Sequence, residues 1–139
     1  MNFALGQQFQ EFDELNPDVY DEFKRMAWVA QRKGHSCLGI HLLLNVIRWE
    51  IAMKTEDPNH DFKICTSYCP FYARKLAVER VVPPTFFEFR TSLADYYDYV
   101  SGCPEGHDWF TPWWEEATGV KREFKGLQLP QQEMQRESQ

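Results

Sequence analysis

Apolar side chains recur through the first half of the chain at the repeat of an α-helix. Within residues 36–54, Ile40, Leu43, Leu44, Ile47 and Ile51 share one face, and Leu42, Val46, Trp49 and Met53 form a second stripe. His41, Asn45, Arg48 and Ala52 leave only a weakly polar seam between them. A helix apolar on two sides needs partners on two sides, so the pattern predicts that this is the central helix. Gly34 ends the element before it and Ser36 caps its start. Its expected neighbours are a helix beginning at Pro17 on one side, and a helix beginning at Pro70 with two strands on the other.

Upstream, Leu5, Phe9 and Phe12 mark a short amphipathic helix over residues 3–14. Asn16-Pro17 is a start signal, because proline at the first helical position gives up no needed hydrogen bond. The helix that follows runs to about Lys33 and turns Val19, Tyr20, Phe23, Met26, Ala27 and Ala30 inward. Acids in its first turn and Arg32 and Lys33 in its last suit the helix dipole.

After a turn at Asp57-Pro58-Asn59, residues 62–65 alternate apolar and polar like a short strand. Residues 69–80 read as a helix with Pro70 in its first turn, Tyr72, Ala73, Leu76 and Ala77 inward, and Phe71, Arg74, Lys75 and Val78 outward. Pro83-Pro84 stops it, and residues 86–90 read as a second strand that pairs with the first. The expected fold is therefore mainly α (α+β). It has a helix-turn-helix or winged-helix-like core with a short two-stranded sheet over residues 1–91, and a C-terminal extension over 92–139. The two parts are expected to form one compact unit with a frayed, glutamine-rich tail.

Composition changes this picture in one place. A chain of 139 residues with eleven Phe, six Tyr and five Trp has the size and apolar content of one folded domain. It has no apolar run of about 18 residues, so no membrane partner is expected, and its start lacks a leader pattern, which predicts a cytoplasmic setting with reduced thiols. The net charge of −6 opposes non-specific nucleic-acid binding by the whole surface. Residues 91–120 stand apart: they hold Asp95, Asp98, Asp108, Glu115 and Glu116, a dense set of aromatics, and no Lys or Arg. Gly102, Pro104, Gly106 and Pro112 leave room there for little more than a short helix near 92–100.

The segments IRWE, DFKICTSYCPFYARKL and PPTFFEFRTS, spread over roughly residues 9–91, resemble a family of small conserved phage and prophage proteins. That family has an Ile-Arg-Trp helix, a Phe-Lys-Ile strand, a Tyr-Ala-Arg helix and a Phe-Phe-x-x-Arg segment. The resemblance implies a phage origin and a small scaffold, without an activity. Residues 92–139 look like an addition to that scaffold. The combination is similar to phage scaffolds turned against a host system.

No P-loop, Gly-rich dinucleotide loop, Gly-x-Ser-x-Gly or His-Glu-x-x-His is present, so no enzyme and no cofactor are expected. Cys65, Cys69, Cys103 and His107, with His60 and His35 in reserve, offer zinc donors, but the Cys-x3-Cys spacing departs from the usual Cys-x2-Cys knuckle. Cys69 at a helix start with His60 nearby meets half the requirements of a nucleophile, against the simpler reading of a semi-buried thiol.

Two surfaces carry the functional expectation. The first is an acidic, aromatic one: Asp95, Tyr96, Asp98, Tyr99, Asp108, Trp109, Phe110, Trp113, Trp114, Glu115 and Glu116. Its carboxylates would replace phosphates and its rings would replace bases in the basic groove of a host nucleic-acid-handling protein. The concrete form is a non-enzymatic inhibitor of the anti-CRISPR kind, with a CRISPR effector as one such target. The opposing reading is an extension that wraps its own domain with the aromatics inward. The alternative surface is DNA-binding: the 69–80 helix as recognition helix, with Lys63, Ser67, Tyr72, Arg74, Lys75, Arg80 and Arg90 as contacts.

Overall fold

The computed structural model describes residues 4–54, 64–97 and 106–123. The order is α1 (Ala4–Leu15), α2 (Pro17–Arg32), α3 (Ile40–Lys54), a 3₁₀ turn (Thr66–Tyr68), α4 (Cys69–Val78), a second 3₁₀ turn (Leu93–Tyr96) and α5 (Phe110–Thr118). The fold is mainly helical.

The local signals at the first helix junctions are used directly. Pro17 opens α2, while the Asn16 side chain turns back and donates to the Phe12 carbonyl at 3.0 Å, closing α1 instead of capping α2. Gly34 takes φ +94° at the end of α2, where its N–H reaches the Gln31 carbonyl at 3.0 Å and the His35 N–H reaches Ala30 at 3.1 Å. This paired closure needs a left-handed residue. The third helix then begins at Ile40, later than the expected Ser36. Residues 36–39 run as irregular chain, with the Leu38 N–H bonded to the Phe86 carbonyl.

The helix at the centre is α4. Cys69, Phe71, Tyr72, Ala73, Arg74, Leu76 and Ala77 are all buried, so Phe71 and Arg74 of the face expected to look outward are enclosed, while Lys75 and Val78 stay partly exposed. Tyr72 stacks on Phe23 of α2 at 4.6 Å between ring centres and meets Phe9 of α1 edge-on at 4.8 Å. Phe9 also stacks on Phe71 at 5.0 Å. Leu43, Leu44 and Ile47 of α3 join this core, in keeping with the first apolar stripe. The second stripe does not: Leu42, Trp49 and Met53 are exposed, and neither α4 nor a sheet covers them.

No strand occurs among the described residues, which corrects the expected two-stranded sheet. Ile64 and Cys65 are irregular, and residues 62 and 63 lie outside the described residues. Residues 86–90 do not form a strand: Phe86, Phe87 and Phe89 are buried while Glu88 and Arg90 are exposed, and the segment is irregular with no ladder partner among the described residues. Its carbonyls go elsewhere. Phe86 accepts from the Leu38 N–H, and Phe89 and Arg90 accept from arginine side chains.

The C-terminal part packs on the core. The ring of Tyr97 lies flat over Gly6, and its hydroxyl donates to Gln10 Oε1 at 2.7 Å. The 3₁₀ turn before it carries a capping box, Ser92 with Asp95. The last helix, α5, runs through Pro112, which sits in the first turn where a missing N–H costs nothing. Asp108 Oδ1 accepts from the Thr111 N–H there at 3.0 Å, and Gly119 at φ +71° ends the helix.

Candidate functional site

The acidic aromatic segment meets the basic helix in the interior. Asp95, 1% exposed, accepts from Arg74 Nε at 2.9 Å, from Arg74 Nη2 at 2.8 Å and from Arg122 Nη2 at 3.2 Å. Arg74 also donates to the Pro70 carbonyl and, with Arg122, to the Arg90 carbonyl. Arg122 reaches Thr111 Oγ1 at 2.7 Å. The Phe110 ring lies 4.7 Å from the Arg74 guanidinium and 5.3 Å from that of Arg122. Burial pulls the Arg74 pKa down and the adjacent Asp95 charge opposes it. One carboxylate, three carbonyls and an aromatic face thus stabilise two buried cations, and α4, the 89–97 segment, α5 and residue 122 are tied at one point.

This arrangement redistributes the residues expected on a partner surface. Asp95, Tyr96 and Phe110 are buried, and contact with another protein would require opening the fold. Trp109 and Trp114 are half-buried and use their indole N–H groups inward, on the Ala94 and Pro84 carbonyls at 3.0 and 2.9 Å. Glu115 accepts from the Arg122 N–H, and Asp108 holds the start of α5. Trp113 is half-buried and Glu116 is exposed. Asp98 and Tyr99 lie outside the described residues.

The nucleic-acid set is divided in the same way. Tyr72 and Arg74 are interior. Lys75 is ion-paired with the buried Asp13 and sits 4.1 Å above the Tyr20 ring. Ser67, Arg80 and Arg90 are exposed on separate segments, and Lys63 lies outside the described residues. On α4 itself only Pro70, Lys75 and Val78 keep partial exposure.

Among the described residues no three His, Cys, Asp or Glu side chains converge as metal ligands, and no helix is long and apolar enough to cross a membrane. His60 and Cys103 lie outside the described residues. Burial pushes the Cys69 thiol up to about 11, far from an activated thiolate. A cleft of about 420 Å³ opens between the starts of α3 and α4 and residues 87–92, with His41, Arg74, Glu88, Arg90 and Ser92 in its wall. Its one buried charge, Arg74, is already engaged by Asp95 and two carbonyls.

The open surface lies on α2 and α3. Trp28 and Trp49 are 55% and 65% exposed, and Leu42 and Met53 are 52% and 61% exposed. Arg25 of α2 bridges to Glu50 of α3 at 3.0 Å. Arg32 lies 4.7 Å over the Trp28 ring.

Sequence reasoning missed Arg122 and Trp28. A signal existed for the first: Lys121-Arg122 is the first basic pair after the cation-free stretch that holds Asp95. For Trp28 the outward position follows from α2's own periodicity, since it falls with Asp21, Arg25 and Arg32. No family model, curated protein or solved structure matches this chain.

Proposed function

We propose that this chain is a non-enzymatic, phage-type binding protein whose contact surface is the apolar face shared by α2 and α3. The observation that carries the reading is the exposure of Trp28 on α2 and Trp49 on α3, each more than half exposed, with Leu42 and Met53 exposed on the same α3 stripe as Trp49. Tryptophan dominates contact energetics, and contiguous apolar patches on soluble domains mark interaction surfaces. The buried carboxylate–arginine cluster meanwhile offers no open nucleophile or base.

In its specific form the protein inhibits a host nucleic-acid-handling defence protein of the anti-CRISPR kind. The net charge of −6 suits approach to a surface that normally receives phosphates. The acidic aromatic segment then serves to build the scaffold, and its exposed rim, Glu116 among it, adds to the field.

The test is affinity capture from a bacterial host lysate with the wild-type chain and a Trp28→Ala/Trp49→Ala variant. A host protein retained by the wild type and lost with the variant is expected, and its nucleic-acid binding or cleavage should fall when the chain is added. Equal retention by both chains would remove the α2–α3 face as the contact surface.

A further inference from the structure

The cleft between the starts of α3 and α4, about 420 Å³, falls within the roughly 300–1,000 Å³ of small-molecule sites. Its wall is rich in hydrogen-bond donors that the chain leaves unused. The backbone N–H groups of Gly39, Ile40 and His41 open the first turn of α3 and meet no acceptor among the described residues. Ser92 Oγ accepts from the Ala94 N–H at 3.1 Å and keeps its own proton to donate. A further donor is buried. Arg74 is 3% exposed, and a guanidinium has five N–H bonds. Asp95 takes Nε–H and one N–H of Nη2, the Arg90 carbonyl takes the other of Nη2, and the Pro70 carbonyl takes one of Nη1. The second N–H on Nη1 has no acceptor among the described residues. Besides this cleft Arg74 borders a hollow of about 10 Å³ next to Phe71 and Trp109, room for one water at most. A ligand therefore reaches that N–H from the cleft.

The geometry points to this cleft as a binding site for a small organic anion. The oxyanion sits against the first turn of α3, where the helix dipole favours negative charge, and receives N–H bonds from Arg74 and Arg90. Its apolar body lies on Ile40, Pro70 and Phe87. Arg90 suits the outer position, because it is exposed and its ion partner Glu88 holds it only loosely, at 3.8 Å. Glu88 is the one carboxylate in the wall, against the guanidiniums of Arg74 and Arg90. Asp95 is shared between Arg74 and Arg122, so it does not cancel the Arg74 charge in full. A cation would meet two guanidiniums and a helix N-terminus, and a neutral body would leave the donors unused. Phosphate esters and carboxylates share the chemistry that fits. The site has no residue in common with the exposed tryptophan stripe and does not depend on the proposed partner contact.

The donors are held in place before a ligand arrives. The Leu38 N–H, just ahead of α3, bonds the Phe86 carbonyl at 3.3 Å, and Arg74 of α4 bonds the Arg90 carbonyl at 2.9 Å. Both helix starts are thereby tied to the 86–92 segment that closes the cleft. Binding then orders little beyond the exposed Arg90 and His41 side chains, which keeps its entropic cost low.

An amide NMR titration of the full chain with phenyl phosphate, benzoate, inorganic phosphate and benzyl alcohol tests the site. Phenyl phosphate or benzoate is expected to bind one to one and to shift the Gly39, Ile40 and His41 amides saturably, and the tighter of the two names the oxyanion. Inorganic phosphate has no body for the apolar wall and should bind about tenfold more weakly. Benzyl alcohol should give no saturable shift. Arg90→Gln should weaken the anion about tenfold by removing a charge-assisted bond. Glu88→Gln should tighten it about two- to threefold by removing the competing acid, a gain that a damaged fold does not produce. Both side chains are exposed, and helical circular dichroism confirms that each variant is folded. No saturable shift with either organic anion overturns the site. Benzyl alcohol binding as tightly as the anions overturns the oxyanion assignment, as do Arg90→Gln and Glu88→Gln variants that bind like wild type. Inorganic phosphate binding as tightly as the two organic anions overturns the role of the apolar wall.

Discussion

Asp95 and Arg74 meet at 2.8 Å with 1% and 3% of their surfaces exposed, although one belongs to the most acidic stretch of the chain and the other to its most basic helix. Two segments expected to present separate surfaces to separate partners instead neutralise each other inside the fold. Removing one member of a buried pair leaves the rest uncompensated, and here two guanidiniums depend on one carboxylate. Asp95→Ala is therefore expected to destabilise the chain by roughly 3–5 kcal/mol, read as a fall in the urea midpoint. Glu116→Ala, in the same acidic stretch but exposed, should stay within about 0.5 kcal/mol of wild type. Equal midpoints for the two variants would mean that the cluster does not hold the C-terminal part to the core.

The same pair explains how far the sequence could be read. Pro17 and Gly34 act within a few residues of themselves, and the boundaries they mark are where the pattern places them. The outward face assigned to α4 rested on Arg74 and Lys75, and charge ordinarily seeks water. Both are drawn inward by acids on other elements, Asp13 on α1 and Asp95 beyond α4, and no helical window contains those partners. Trp49 shows the converse. Its stripe is apolar by spacing, but spacing shows only that a face can be covered, and no described element of this chain covers it.

Gly6 supplies the second measurable link between the ends of the described chain. A Cβ at this position would stand 2.6 Å from Cγ and 2.8 Å from both Cδ atoms of Tyr97, the part of the ring nearest the backbone and least able to move. In an open helix Gly→Ala stabilises by roughly 0.4–1 kcal/mol, but overpacking costs about 1–3 kcal/mol and should win here. Gly6→Ala is expected to lower the thermal midpoint. In a Tyr97→Ala background the same change should become neutral or stabilising, and a double-mutant cycle on the thermal or urea transition measures the coupling. Additive effects would show that Tyr97 does not rest on α1.

Thr91 offers a change in the other direction. Its hydroxyl is buried with no hydrogen-bond partner among the described residues, while its neighbour Arg90 lends a carbonyl to both arginines of the cluster. A buried polar group without a partner carries a desolvation cost of about 1–3 kcal/mol, and valine has nearly the same shape. Thr91→Val should raise the urea midpoint or leave it unchanged. A clear fall would reveal a bonded hydroxyl in solution.

Cys69 and Tyr20 make the fold sensitive to alkali. Burial is the main cause that lifts the Cys69 thiol from 9.0 to about 11, with Arg48 opposing and Cys65 adding. Burial and the 2.7 Å bond to Glu79 also raise the Tyr20 phenol above its ordinary 10.0. In both, the folded state holds its proton more tightly than the unfolded chain does. Their contribution is intact below pH 9.0, where both states are protonated, and is lost as pH rises through the Cys69 value of about 11. Urea midpoints should be level near neutrality and fall above pH 9.0, with Cys69→Ala removing the earlier part of the decline. Thiol labelling gives an independent check in a Cys103→Ser background: at pH 8 the exposed Cys37 and Cys65 should react at once, and Cys69 only on unfolding. A third fast-reacting thiol in the folded chain would place Cys69 at the surface and take the alkaline prediction with it.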